Sequence, residues 1–277
     1  MTRDPRKLPF LGAGLGYRFE IHDFIAEQKD HLGFLEVMPE HVLDSPPEAR
    51  RLIEAMAKQY PMVTHAVSVS IGSAEGPDET FLRKMRDVSE AVSAPWASDH
   101  LCFTKTKGRN LGQLVPVPYT DETLDVLVRN VKTAQRLLGI PFALENVTRY
   151  FTYKEEQYSE PEFFRRLTEE AGCFILLDVT NVWNNARNVG VPVERYLRDF
   201  PLDRVIHLHL AGVHEDGERV LDTHAAPIPE AVWEMTEEVL RQAPVKALVI
   251  ERDDDFGDLG QLAGEVRRAS RLMEALS

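Results

Sequence analysis

Eight short apolar runs alternate along this chain with longer stretches, several of helical spacing, and that alternation limits the fold more than any other feature. The runs are FLGAGLG near Phe10, GFLEVMP near Phe34, MVTHAVSVSIG near Val63, WASDHLCF near Trp96, FALENV near Phe142, FILLDVTNV near Phe174, VIHLHLAG near Val205 and ALVIERD near Ala247. Runs this short, bounded by turn residues, read as strands, and the segments between them read as helices. PPEARRLIEAMAKQY, PDETFLRKMRDVSEAV, TDETLDVLVRNVKTAQRLLG and SEPEFFRRLTEEAG are the clearest helices. Their starts carry Pro46-Pro47, Pro77-Asp78, Thr120-Asp121-Glu122 and Ser159-Glu160-Pro161, and Gly139 and Gly172 stop two of them. Eight strands alternating with helices predict a single α/β domain over residues 1–277, a (β/α)8 TIM barrel. The length, 277 residues, suits that fold, and no internal repeat or linker divides it.

In such a barrel the C-terminal strand ends converge on one face, where chemistry sits. Here those ends carry ionisable groups. Strand two reaches Glu36 and then Glu40, strand three His65 and strand four His100. Strand five ends at Glu145, and strand six at Asp178 with Asn181 beyond it. Strand seven carries His209, its loop Asp222 and His224, and strand eight ends at Glu251. Taken singly, a strand histidine is most often a core residue and a strand-end glutamate a cap or an ion-pair partner. Together they are too many to desolvate without a neutralising partner, because each buried charge costs several kcal/mol (order of magnitude) unless it is paired. Bound cations would neutralise them. The donors are all imidazole, carboxylate or amide, with no thiolate, which fits Fe, Mn, Zn or Co in a catalytic site better than a structural zinc site. The donors exceed the needs of one ion, so two or three are expected, with Glu145 or Asp178 bridging.

The remaining features carry less. His207 stands two residues before His209 and points to the same side but deeper, as a core histidine bonded to a neighbour. GAGLGYR imitates a dinucleotide fingerprint, but Tyr17 occupies the place of its third glycine. Asp99 and Arg18 are candidate pocket residues, and Asp253 to Asp255 read as a solvated loop from which one residue could reach the pocket. Cys102 and Cys173 form no CxxC motif, which predicts free thiols in a reducing cytoplasm. The N-terminus lacks the apolar core of a signal peptide, and no run is long enough for a membrane span. The formal charge of −13 argues against nucleic acid as a partner.

At these residues the chain resembles a known family. It is similar to the DUF692 (UPF0276) proteins, multinuclear non-heme iron-dependent oxidative enzymes that include the iron oxidase of methanobactin biosynthesis. The resemblance runs through GAGLGYR at Gly12, FLEVMPEH at Phe34, THAVSVSIGS at Thr64, SDHL at Ser98, LVPVPYT at Leu114, LENVTRY at Leu144, LLDVTNV at Leu176, HLAG at His209, DTH at Asp222 and VIERD at Val249. It implies a xylose-isomerase-like barrel holding two or three iron ions (Fe2+/Fe3+), with O2 as co-substrate. It also implies oxidation of a ribosomally synthesised precursor peptide, commonly at cysteine, and a small partner protein that presents the peptide. Carried over by motif, the metal ligands would be His65, His100, Glu145, Asp178, Asn181, His209, Asp222, His224 and Glu251. The chain departs from the family where HLAGH is usual: Val213 fills the fifth position and His214 follows. Two other readings use the same donors: a redox-neutral divalent-metal barrel, either a sugar isomerase or a phosphodiester hydrolase, and a protein that only binds metal.

Overall fold

The computed structural model describes residues 4–216, 219–253, 256 and 258–276; the side chains of 215, 216, 219, 221 and 222 lie outside that description. Eight parallel strands close into a barrel: β1 (Gly12–Gly16), β2 (Phe34–Val37), β3 (Met62–Ala66), β4 (Ala97–His100), β5 (Phe142–Glu145), β6 (Phe174–Asp178), β7 (Val205–Ala211) and β8 (Ala247–Glu251). Each pairs with its neighbours in chain order, and β8 closes on β1. The barrel is the fold expected from the eight runs.

The helices begin and end where their local chemistry dictates. Asp78, Thr120 and Ser159 accept the backbone N–H of Phe81, Thr123 and Glu162, which caps the helices Glu79–Ala91, Asp121–Leu138 and Glu160–Ala171. Pro47 opens Pro47–Ala57 at the first helical position. Gly139 and Gly172 close two of these helices at φ 75° and 71°, where a side chain would be strained. Among the described residues no helix is long and apolar enough to cross a membrane.

Two apolar cores follow from the pleat. Leu35, Leu144, Leu177, Leu208 and Ile250 face outward and pack with the helices. Phe34, Val63, Trp96, Ala143, Phe174, Leu176, Ile206 and Val249 form a separate interior cluster, with Leu8 packed among them. Side chains two apart on a strand share a face. Stepping two residues on from the interior cluster therefore leads from Phe34 to Glu36, Val63 to His65, Ala143 to Glu145, Leu176 to Asp178 and Val249 to Glu251. On β4 two such steps lead from Trp96 through Ser98 to His100. The polar ring is thus the next layer above a packed apolar one, as the barrel's geometry requires.

Two segments differ from the sequence reading. WASDHLCF reads as one strand but is split at Leu101. Ala97–His100 enters the barrel, while Cys102–Thr106 pairs antiparallel with Arg109–Pro116 in a hairpin outside it. A second hairpin, Val213–Asp216 with Arg219–Asp222, follows β7. On β7 the register against β6 shifts at Ile206, so Ile175 pairs with Val205 but Leu176 with His207. The extra residue is a bulge that re-aims the strand before His207 and His209.

Candidate metal centre

Most of the candidate ligands meet at the top of the barrel. A cavity of about 260 Å³ is lined by Glu36, His65, His100, Glu145, Asp178, Asn181, His224 and Glu251, together with Arg18 and Asp253. His209 lies just beneath its floor, fully buried. Parallel registry accounts for the neighbours: His100 stands beside Glu145, and Asp178 beside His209.

The centre of the cluster is Glu145. Its Oε2 lies 3.2 Å from His65 Nε2 and 3.3 Å from His100 Nε2, and its Oε1 lies 3.4 Å from His209 Nδ1. His209 Nδ1 is also 3.1 Å from Glu251 Oε2. Yet Glu145 Oε2 and His209 Nδ1, both buried, make no aligned hydrogen bond among the described residues. Two donors bound to one ion at about 2.1 Å are themselves about 3.0–3.4 Å apart, depending on coordination angle, and do not point at each other. All four separations fall in that range. The cluster therefore fits a bound cation better than it fits a self-contained hydrogen-bond network. Four overlapping groups bring ligand atoms within 4.8 Å of one another: His65, His100 and Glu145; Glu145, Asp178, His209 and Glu251; His65, His209 and Glu251; and Glu36, His207 and His209.

The scaffold fixes the ring orientations. His65 Nδ1 is 2.9 Å from Ser98 Oγ, and His100 Nδ1 is 3.2 Å from the Ala66 carbonyl, so in each ring Nε2 faces Glu145. Asp178 Oδ1 accepts the Asn181 N–H at 2.7 Å and caps the helix Val179–Asn188. The Asn146 amide clamps the Asp178 backbone from both sides, at 2.8 and 2.9 Å. Asn181 reaches the cavity, but its amide already bonds the Asn146 carbonyl and the Thr148 hydroxyl. His224 sits at φ 51°, with Nδ1 2.8 Å from Asp253 Oδ2 and 3.8 Å from Glu251 Oε2. Gly212 makes this approach possible, because a Cβ there would meet the Ala226 carbonyl oxygen at 1.6 Å. The glycine of HLAG is thus a packing requirement. Asp222 belongs to the second hairpin, and its side chain is outside the described residues, as are Asp254 and Asp255.

Electrostatics separate the imidazoles. Burial and the neighbouring His100 hold His65 well below its ordinary pKa, so it is neutral. Burial also opposes charge on His100, but Glu145 and Asp99 outweigh it and carry the group up to about 9. His209 is likewise carried well above the usual range against its burial, by Glu251, Glu36 and Glu145. Glu251 is held well below the carboxylate range by His209 and His224, although burial pushes the other way. Among the described residues, the only ion-pair partners of Glu36, Glu145 and Glu251 are histidines. Without a metal, protons held by His100 and His209 offset part of the carboxylates' charge; a bound cation would displace them.

The remaining expectations divide. His207 is fully buried, but neither ring nitrogen has a hydrogen bond among the described residues. It packs edge-on against Phe34 and Trp96 instead, with ring centroids 5.9 and 6.0 Å away. Asp99 faces away from the cavity and accepts the Val69 N–H at 2.8 Å. Glu40 accepts the Val67 N–H at 3.0 Å and does not line the cavity either. His214 is exposed on its hairpin. Asp253 does reach the cavity, where it pairs with Arg18 and His224. Cys102 and Cys173 are free and buried, and burial raises both thiols, so neither offers a ready thiolate. Glu36 is legible in the sequence only as a strand end without a role, and Ser98 and Asn146 stand out by no motif, although Asn146 directly follows Glu145 and Ser98 lies two residues before His100.

Comparison with known proteins gives the family and the fold. Residues 12–274 match the family model described as RiPP precursor modification enzyme MbnB/TglH/ChrH. A UPF0276 protein of Caulobacter vibrioides is 36% identical over 93% of this chain and 92% of its own length. A UPF0276 protein of Anaeromyxobacter is 35% identical over 96% and 94%. Solved structures share the fold alone. D-psicose 3-epimerase of Clostridium cellulolyticum aligns over 96% of this chain and 98% of its own, with TM-score 0.56 at 10% identity. Endonuclease IV of Thermus thermophilus aligns over 94% and 98%, with TM-score 0.56 at 16% identity.

Proposed function

The chain belongs to the RiPP precursor modification enzymes of the MbnB/TglH/ChrH family, and from that premise we propose that it is an iron-dependent, O2-consuming oxidase that modifies a precursor peptide at cysteine. The observation that carries the metal part is the set of imidazole and carboxylate atoms 3.1–3.4 Å apart around Glu145. Two neighbouring groups share Glu145, one through His65 and His100 and one through Asp178, His209 and Glu251. That sharing supports more than one ion with a bridging carboxylate. Iron would supply the electrons for O2 reduction and a site for the substrate thiolate.

The chain's own residues would do the rest. Ser98 and the Ala66 carbonyl keep His65 and His100 turned toward Glu145. The apolar layer beneath excludes water from below, which strengthens every charge interaction at the floor. The cavity has room for one substrate side chain, not for a folded peptide. Val67, Leu114, Val147 and Tyr150 give its wall an apolar part that suits a cysteine side chain. No lysine lines it among the described residues, which disfavours the sugar-isomerase reading.

The test supplies anaerobically iron-loaded protein with a short cysteine-containing peptide encoded beside its gene and with any small protein encoded there that presents it. O2 uptake and peptide mass are followed together. The expected result is O2 consumption coupled to a mass change that disappears when the peptide cysteine is serine. Turnover of the peptide by the zinc-loaded protein without O2 would overturn the proposal.

A further inference from the structure

Three histidines face the carboxylates of Glu145 and Glu251, and in each the far ring nitrogen is held by a different kind of group. Ser98 Oγ holds His65 and a backbone carbonyl holds His100. His209 is held by a carboxylate. Its Nε2 lies 3.1 Å from both oxygens of Glu36, which stands on β2, 173 residues away in sequence. The ring is also reversed, with Nδ1, not Nε2, facing Glu145 and Glu251. Both partners are buried, at 3% and 0% exposure.

We infer that Glu36 is a positioning residue for His209: it accepts the Nε2 proton and so commits Nδ1, as a lone pair, to the metal-facing side. This rests on the metal reading above, though not on the identity of the metal or of the substrate. A neutral imidazole carries one proton on either nitrogen. Burial pushes the Glu36 carboxyl above its ordinary range, with His209 opposing that shift; in its ionised form Glu36 is an acceptor only, and a ring that meets it at Nε2 then places its proton there. Such a partner fixes the ring and raises the basicity of the ligating nitrogen. Neither the serine hydroxyl at His65 nor the carbonyl at His100 carries a negative charge. The Asp99 carboxylate stands 3.6 Å from His100 Nδ1, beyond hydrogen-bond reach, so among the described residues His209 is the one of the three with a carboxylate within hydrogen-bond distance of its far nitrogen.

A competing arrangement uses the same atoms. His207 Nε2 is 3.7 Å from Glu36 Oε2, so Glu36, His207 and His209 could themselves surround an ion one layer lower. The edge-on packing of His207 against Phe34 and Trp96 favours the positioning role.

The experiment compares Glu36→Leu and Glu36→Gln with the wild type. Each is stripped of metal, titrated with Fe2+ under argon against a chelator, and analysed for ions bound per chain at saturation. The amide oxygen of Gln can still accept the Nε2 proton, whereas Leu cannot. Loss of such an outer partner typically weakens metal binding by about 10–100-fold. We expect Glu36→Leu to show that loss with unchanged stoichiometry, and Glu36→Gln to recover most of the affinity. In the zinc-loaded wild type, 15N spectra of the imidazoles should show His209 protonated at Nε2 and ligated at Nδ1. If Glu36→Leu fails to fold, the Gln variant and the tautomer decide. Loss of one whole ion per chain in both variants would make Glu36 a ligand and overturn the inference, as would unchanged affinity in Glu36→Leu or a proton on Nδ1. A wild type that binds no ion would remove the metal reading itself, and the inference with it.

Discussion

His207 and His209 are two residues apart on one strand and face the same interior, yet they occupy different chemical worlds. His209 lies among Glu36, Glu145 and Glu251, and its protonated form is favoured. His207 lies against Phe34 and Trp96, and burial, with His209 beside it, drives its pKa well below the ordinary value. The difference marks where the barrel stops being a packed layer and becomes a site. On β2, β3, β5, β6 and β8 that boundary falls between an apolar residue and an ionisable one, as from Val63 to His65 or Leu176 to Asp178. On β7 a histidine fills the apolar slot as well. The lesson is that residue type does not identify a ligand in this fold; the layer it occupies does.

The largest effect that could break the comparison is on metal content. His209→Ala should lose at least one ion per chain, while His207→Ala keeps its full complement, both measured by elemental analysis of anaerobically prepared protein. Metal loss in His207→Ala alone would invert the two roles. Next, Glu145→Ala and Asp178→Ala should each lose bound metal while circular dichroism shows the barrel intact. Both sit at the mouth rather than in the packed layers, and full retention of metal in both would show that the ring is not the ligand set.

A smaller effect is the pH dependence, whose sign differs between the metal-free and loaded states. In the metal-free protein His100 titrates near 9, above its ordinary value of 6.5. Its contribution to stability is fully present below about pH 6.5 and is lost as the pH rises through about 9. Metal binding runs the other way, since ions displace protons from His100 and His209. Affinity should rise by up to about tenfold per pH unit for each proton displaced between pH 6 and 9. Chelator competition at several pH values reads this slope, and a flat profile would mean that neither histidine gives up a proton to the metal.

The smallest effect concerns His207 alone. Its two nitrogens have no hydrogen bond to lose among the described residues, so His207→Leu should be neutral or stabilising by about 1 kcal/mol. That corresponds to a rise of roughly 2–4 °C in thermal midpoint for a chain of this size. A clear drop would show that the imidazole has a partner after all.

Much of this was legible in the sequence because a barrel converts eight separate strand ends into one ring. His65, His100, Glu145, Asp178 and Glu251 needed only the positions of their strands. The helix boundaries at Thr120, Ser159, Gly139 and Gly172 followed from local capping chemistry. What the sequence hid is long-range. The contact between Glu36 and His209 spans the interior between strands far apart in sequence, and no local pattern reports it. The apolar run WASDHLCF continues through Leu101, so nothing in its composition shows that the chain leaves the barrel there. Asp253 looks solvated among its acidic neighbours, but Arg18 and His224 draw it to the cavity. His207 reads as bonded from the sequence because buried imidazoles usually are.

The central claim is that the ring above the apolar layer is a site for several metal ions, and that those ions are iron. Anaerobic expression and purification, followed by elemental analysis of the wild-type protein, test it most directly. The account predicts iron at more than one ion per chain. Stoichiometric zinc in fully active protein, with no iron, would contradict it.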